Sequence, residues 1–495
     1  MTLVLTLIDT LPFFGYIKKV AAPHLSKHKI FHLALLILFL CSAPARTMAQ
    51  TGQTNAPGSE PAEPDTLESV LSDIAGLLSE FKYSEAISLF DTIPSPLGES
   101  TSLLLLKASA LSSAGRYNEA RTIAESLLSA EPENIEVLFL LAAVEDASGR
   151  QMQQQAALEK IINIESDNLR ALIALGNVSL ARRSLNAAAS YFSRALAKED
   201  ANAEALIGLS RAFRMNREWA EAEILLNRAV ELYPDMAEAR TERARFYWGR
   251  ENHEQALADL EEAKKLNPGD YWIAIDMGTL LLEMNRKPAA LGEFERAIKI
   301  NPEEYRAYAY SSGLKDDLGD LDGAERDYAA LTKLNPDYYF GFEGLGLHKM
   351  KNGNWAEAAT AFLEAYRRAP DEYFYALLGA INWMHMEDIS SPRAFLSQVQ
   401  AKVKRDTIEW YMFRLFYDLT SRNYLGELDM ISRLDRENDS NLKARMLFYM
   451  ALYYDVRGNT ALANKYYLLV SEMDRRAIPE WRLNEWILID RELKN

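Results

Sequence analysis

Six prolines set a ruler along this chain. Pro132, Pro234, Pro268, Pro302, Pro336 and Pro370 are separated by 102, 34, 34, 34 and 34 residues, and 102 is three times 34. Four of them stand in near-identical strings, LYPD, LNPG, INPE and LNPD. A 34-residue period means a repeat architecture with one helical hairpin per unit, in which neighbours must stack before any unit can bury its apolar face.

Starting each unit 31 residues before its proline places the starts at 67, 101, 135, 169, 203, 237, 271, 305 and 339. Position 20 then holds Ala86, Ala120, Ala188, Ala222, Ala256, Ala290, Ala324 and Ala358, with Gln154 the exception. Position 8 holds Ala108, Ala142, Gly176, Ser210, Ala244, Gly278, Ser312 and Gly346, with Ile74 departing. Position 24 is apolar throughout and large except at Ala124: Phe90, Leu158, Phe192, Leu226, Leu260, Phe294, Tyr328 and Phe362. Small residues at 8 and 20 let paired helices approach, and bulky ones at 24 fill the space between units. Proline at 32 cannot continue a helix and belongs in the turn between units. Gly115, Gly149, Gly319 and Gly353 fall at position 15, where the first helix ends. Pro288, at position 18, suits a second-helix start, where the missing N–H costs nothing.

This pattern resembles the tetratricopeptide repeat, in phase and without insertion over residues 67–372. The resemblance implies an all-α, right-handed superhelical solenoid of helical hairpins. It also implies a concave groove lined by first-helix positions 2, 5, 9 and 12. Those positions supply Arg211, Arg214, Arg245 and Trp248, then Trp272, Ile275, Phe340 and Phe374. Arginine favours bidentate carboxylate recognition and aromatics favour peptide or apolar contacts; packing between helices and pairing with neighbouring glutamates is the competing account. The family's carboxylate clamp wants Lys at 5 and Asn at 9; Asn177 stands at 9 but Ile173 at 5, which argues against recognition of an EEVD tail.

Residues 373–478 read as degenerate hairpins: Pro392 replaces the expected alanine, with a helix over roughly 393–404 after it. The string from Leu447 to Tyr467 restores the pattern with a shift of three. Pro479 opens a final helix over 479–495, whose polar content suits a cap for the last apolar face.

Residues 1–49 read as an export leader. Lys27 and Lys29 precede the apolar run Leu33–Cys41, and Thr47-Met48-Ala49 offers a cleavage site before Gln50, with Ala43-Pro44-Ala45 as second choice. The run Ile30–Ala43 is 14 residues, short of the about 20 a membrane-spanning helix needs. An uncleaved anchor, or lipidation at Cys41 (preceded by Leu40 where a small residue is usual), are the alternatives; without them membrane contact is transient and through the leader alone. The stretch before Lys27 is long for a leader, which fits an early start or a bipartite signal. Residues 50–66, with three prolines and no large apolar residue, read as a flexible tether.

Charge narrows the function. With 71 acidic against 55 basic side chains the net charge is −16, a poor match for phosphate backbones, so no nucleic-acid partner is expected. One cysteine and six histidines exclude a disulfide framework and any cysteine-based zinc site. Nucleotide-loop, zinc-protease and serine-hydrolase motifs are absent from the sequence, and no cofactor is expected. Asp316–Gly323, DDLGDLDG, hints at a calcium loop, but the matching register puts Leu318 and Ala329 where oxygen ligands must stand, so it reads as a solvated turn. His253 and His348 read as surface or packing residues. The expectation is a non-catalytic scaffold or adaptor of the cell envelope, binding a protein or peptide in its groove. A receptor for an apolar small molecule is the alternative, and an enzyme a remoter one.

Overall fold

Two helix-forming stretches per unit, broken at position 15, give paired helices throughout. The structure, a computed structural model, describes residues 67–95, 97–388, 390–421, 426–473 and 478–493. The leader at 1–49 and the tether at 50–66 lie outside these residues. The first hairpins are α1 (Leu67–Ser79) and α2 (Tyr83–Phe90), α3 (Thr101–Ser113) and α4 (Tyr117–Ala130), α5 (Ile135–Ala147) and α6 (Gln151–Ile164). They continue with α7 (Leu169–Ala181) and α8 (Leu185–Lys198), α9 (Ala203–Met215) and α10 (Trp219–Leu232), α11 (Ala237–Gly249) and α12 (His253–Leu266). Next come α13 (Tyr271–Glu283) and α14 (Lys287–Ile300), α15 (Tyr305–Leu318) and α16 (Leu321–Leu334), α17 (Tyr339–Lys351) and α18 (Trp355–Arg368). The rest are α19 (Tyr373–His385), α20 (Ser390–Gln400), α21 (Ile408–Leu419), α22 (Glu427–Arg436), α23 (Ser440–Val456), α24 (Thr460–Ser471) and α25 (Pro479–Asp490). No strand occurs among the described residues, so the protein is an all-α helical solenoid. The described residues form two units, divided between Asp270 and Tyr271.

Position 15 reverses the chain in the left-handed region. Gly115, Gly149, Gly319 and Gly353 have φ between 72° and 85°, and Arg183, Arg217, Glu251 and Asn285 take the same place at 56° to 64°. The following residue closes the turn by donating its N–H five residues back, as Arg116 does to Leu111 at 2.8 Å and Glu218 to Phe213 at 2.9 Å. Asn134, Asn168 and Asn202 cap the next first helices, each side chain accepting from a backbone N–H three residues on.

Every alanine at position 20 is fully buried. The requirement for small residues at position 8 is steric. A Cβ on Gly176 would stand 2.6 Å from the Phe192 ring, one on Gly278 2.7 Å from Phe294, and one on Gly346 2.9 Å from Phe362. Glycines of the next unit meet position-24 rings from the other side: Gly208 would come within 2.3 Å of Phe192 and Gly344 within 2.3 Å of Tyr328. The large residue at 24 is thus held between two first helices, its own and its neighbour's.

The C-terminal part abandons this ladder for one shared core running from Leu347 to Leu488. Its centre is α23, where Ala444 and the unbroken run from Met446 to Tyr454 are buried. The expected helix over 393–404 forms earlier, as α20 over Ser390–Gln400. Pro392 sits in its first turn, where no N–H is needed, and the chain turns beyond Gln400, with Asp406 left-handed at φ 64°. The last helix does more than cap. Trp481, Leu483, Asn484, Trp486 and Leu488 of α25 are buried, and α25 packs on α17 as well as on α23 and α24.

Candidate functional site

In the first unit, Arg211 and Arg214 of α9 and Arg245 of α11 converge on a single carboxylate. Glu242, one turn before Arg245, has a side chain only 2% exposed. It is met by Arg211 at 2.8 Å, Arg245 at 2.7 Å and Arg214 at 3.7 Å, while Arg211 also reaches Glu238 at 3.1 Å. Burial works to raise the Glu242 pKa, but the Arg211 hydrogen bond and the charges of the three arginines outweigh it and hold the carboxyl below its usual range. The arginines therefore help hold α9 to α11, which sequence position alone did not show. Trp248 is partly buried on the same helix.

In the second unit the position-2 residues form a row. Trp272 and Phe340 are 48% and 46% exposed. Between them, the Arg306 guanidinium lies 5.2 Å from the Trp272 ring centre and 5.4 Å from that of Tyr305. The contacts continue from Tyr305 to Tyr338 at 6.2 Å, Tyr338 to Phe340 at 5.5 Å, and Phe340 stacked on Tyr339 at 4.1 Å. Ile275, at position 5, is 7% exposed and belongs to the core instead of a binding face.

The row ends at a cavity of about 660 Å³ walled by α17, α19, α23 and the start of α25. Its aromatic walls include Phe340, Phe374, Tyr375 and Trp481, and its charged groups are Glu343, Glu372, Glu480, Arg445 and Arg482. Phe374 stacks on Tyr449 at 5.5 Å and lies under Arg445 at 4.2 Å. Arg445 is ion-paired with Glu480 at 3.0 Å, and the Tyr449 hydroxyl donates to Glu480 at 3.1 Å. Tyr375 donates its hydroxyl to Glu343. Burial, with the Glu480 charge adding to it against the Tyr375 bond, pushes the Glu343 carboxyl up to about 7. Walls with this much charge do not suit the apolar ligand expected as an alternative, which would strip water from carboxylates without replacing its hydrogen bonds.

Two expectations around this site need correction. His348 is no simple packing residue: it is buried, with Nε2 2.7 Å from Asp316, and its ring is 4.9 Å from that of Trp486. The Asp316–Gly323 segment is not wholly a solvated turn either. Asp320 caps α16 through Gly323, but the Asp316 side chain is 2% exposed and also accepts from Tyr328 at 3.0 Å and from Arg482 of α25. Asp316 stands at groove position 12, and Glu343, Leu347 and Met350 at positions 5, 9 and 12 of α17. Of these, Glu343 and Leu347 line the cavity with the start of α25, while Met350 and Leu483 of α25 line a common hollow. This part of the groove is occupied by the chain's own last helix.

The carboxylates missed in the sequence are Glu343 and Glu480. Glu343 had a signal, a lone acid at groove position 5 of the first helix YFGFEGLGLHKMK. Arg445 had one too, since the register restored from 444 puts it at groove position 2, whereas Glu480 comes from the last helix, where no spacing points at it.

Comparison with known proteins agrees with this architecture. Residues 179–246 and 247–312 match one tetratricopeptide repeat model, 314–373 a second and 101–144 a third. The chain is a tetratricopeptide repeat protein, and that fold is a protein-interaction scaffold. Similar solved structures include YrrB, a repeat protein with an unusual peptide-binding site (22% identity, 38% of this chain and 95% of that one, TM-score 0.33). PilF of Pseudomonas aeruginosa is another (20% identity, 41% and 92% covered, TM-score 0.36). So is a tetratricopeptide repeat protein of Parabacteroides merdae (18% identity, 51% and 98% covered, TM-score 0.33). No curated protein sequence matches. Among the described residues no helix is long and apolar enough to cross a membrane, and no group of three or more His, Cys, Asp or Glu could hold a metal ion.

Proposed function

We propose that the protein is an exported, non-catalytic scaffold of the cell envelope that holds an extended segment of a partner protein along the aromatic row of its second unit. The observation that carries this is the pair Trp272 and Phe340, each about half exposed at the same position of units two repeats apart, with Arg306 between them. Large aromatics left open at regular spacing are the anchors that peptide interfaces use. Export is supported by the basic, apolar and small-residue order of residues 24–49.

The test is capture of a partner from the envelope fraction by residues 50–495 and by a Trp272→Ala/Phe340→Ala variant whose helicity is checked by circular dichroism. The row predicts loss of one specific partner in the folded variant. Full retention would place the contact elsewhere, and amino-terminal sequencing that found Met1 retained would overturn export with cleavage.

A further inference from the structure

We propose that the cavity at the end of the aromatic row is a subsite for one basic residue, lysine or arginine, of a peptide partner. This deepens the peptide-binding reading and rests on it. The charge inventory points to a cation. Three carboxylates line the cavity, Glu343, Glu372 and Glu480. Of its two guanidiniums, Arg482 is held by Asp316 and Asp317, and Arg445 by Glu480. Among the described residues no cation makes an ion pair with Glu343; only the Tyr375 hydroxyl donates to it. Glu480 is 2% exposed, yet its Oε2 has no hydrogen-bond partner among the described residues. A buried carboxylate oxygen left without a donor is costly unless something supplies one.

The walls suit the rest of such a residue. Phe340 and Tyr375 give faces for an alkyl stem and for cation–π contact with its head. The buried Trp481 Nε1 has no acceptor among the described residues. At long range the net charge of −16 attracts basic partners and repels acidic ones.

The groups around Glu343 also fix a pH dependence. They are Tyr328 on α16, Tyr339 on its own helix, Glu372 and Tyr375 at the start of α19, Arg445 on α23, and Glu480 and Arg482 on α25. The tyrosines are held neutral by burial, which raises their pKa values. Glu343, pushed up to about 7, changes its charge near neutrality, and a cation binds its ionised form. Affinity therefore rises with pH through about 7.

The experiment is calorimetric titration of the full chain with Nα-acetyl-lysine-N-methylamide, and with the norleucine and glutamate counterparts as neutral and reversed-charge probes. The chain carries Arg475 and Arg476 just before Ile478, so a R475Q/R476Q variant is titrated in parallel to remove cations of its own. The lysine probe is expected to bind best at pH 8 and about tenfold more weakly at pH 6. Glu343→Gln, which keeps an acceptor for Tyr375, is expected to weaken it and to abolish the pH slope. Equal binding of lysine and norleucine would remove the cation but leave the peptide reading standing. Failure of the lysine probe with both proteins at millimolar concentration would overturn the subsite, while the aromatic row is decided by its own capture experiment.

Discussion

Glu242 concentrates a general lesson about charge in a groove. Three arginines at ligand-facing positions look like an open basic patch in sequence, yet they surround a carboxylate whose pKa burial works to raise and their charges bring below the usual range. Its folded pKa is lowered, so its stabilising contribution is complete above the ordinary glutamate range and is lost as pH falls through the folded value. Glu242→Ala is expected to cost about 2–4 kcal/mol, toward the low end for a broken buried pair because the arginines reach solvent. Chemical denaturation at pH 7 should show that loss, and it should shrink in acid as the wild type loses the same contribution. The left-handed residue at position 15 makes a second prediction. Arg217 and Glu251 hold positive φ with a Cβ in place, which costs about 1–2 kcal/mol relative to a right-handed residue. Arg217→Gly should therefore raise the thermal midpoint, offset in part by the greater freedom of glycine in the unfolded chain. Gly115→Ala should lower it. A lower midpoint for Arg217→Gly would mean that its side chain contributes more than the backbone strain costs.

Between helices the decisive contact is a ring held by two glycines. Gly176 and Gly208 face Phe192 from successive first helices, with no room for a methyl group on either. Gly208→Ala should destabilise by about 1–3 kcal/mol through overpacking. Phe192→Leu alone should also destabilise, by leaving space. The double variant should recover part of the sum, because the new methyl enters the space the ring vacated. Such coupling, read as a double-mutant cycle in urea, marks residues in contact; strict additivity would mean the ring does not sit between them. The hairpin register that makes this contact was legible in the sequence, since eight alanines and eight small residues keep a fixed phase over nine units.

For the whole molecule, the last helix matters more than its position at the end suggests. Trp481, Leu483, Trp486 and Leu488 are buried against helices of the second unit. At roughly 1.5–3 kcal/mol for each large apolar side chain, ending the chain at residue 477 should cost that unit more than about 5 kcal/mol. Limited proteolysis should then cut within α13–α24 and spare α3–α12; equal resistance of both would show that α25 is dispensable. The sequence by itself determined the repeat, its phase and the all-α solenoid. Those follow from contacts that recur at one interval, and a recurring steric demand leaves a recurring residue type. The tertiary structure alone decided which groove positions stay open. Asp316 is closed off by Arg482, 166 residues further on, and the cavity takes Glu343 from an in-phase repeat, Arg445 from the shifted register beyond them and Glu480 from the last helix. Pairings that occur once, between distant segments, impose no periodicity. They become visible only once the distant segments are folded against one another.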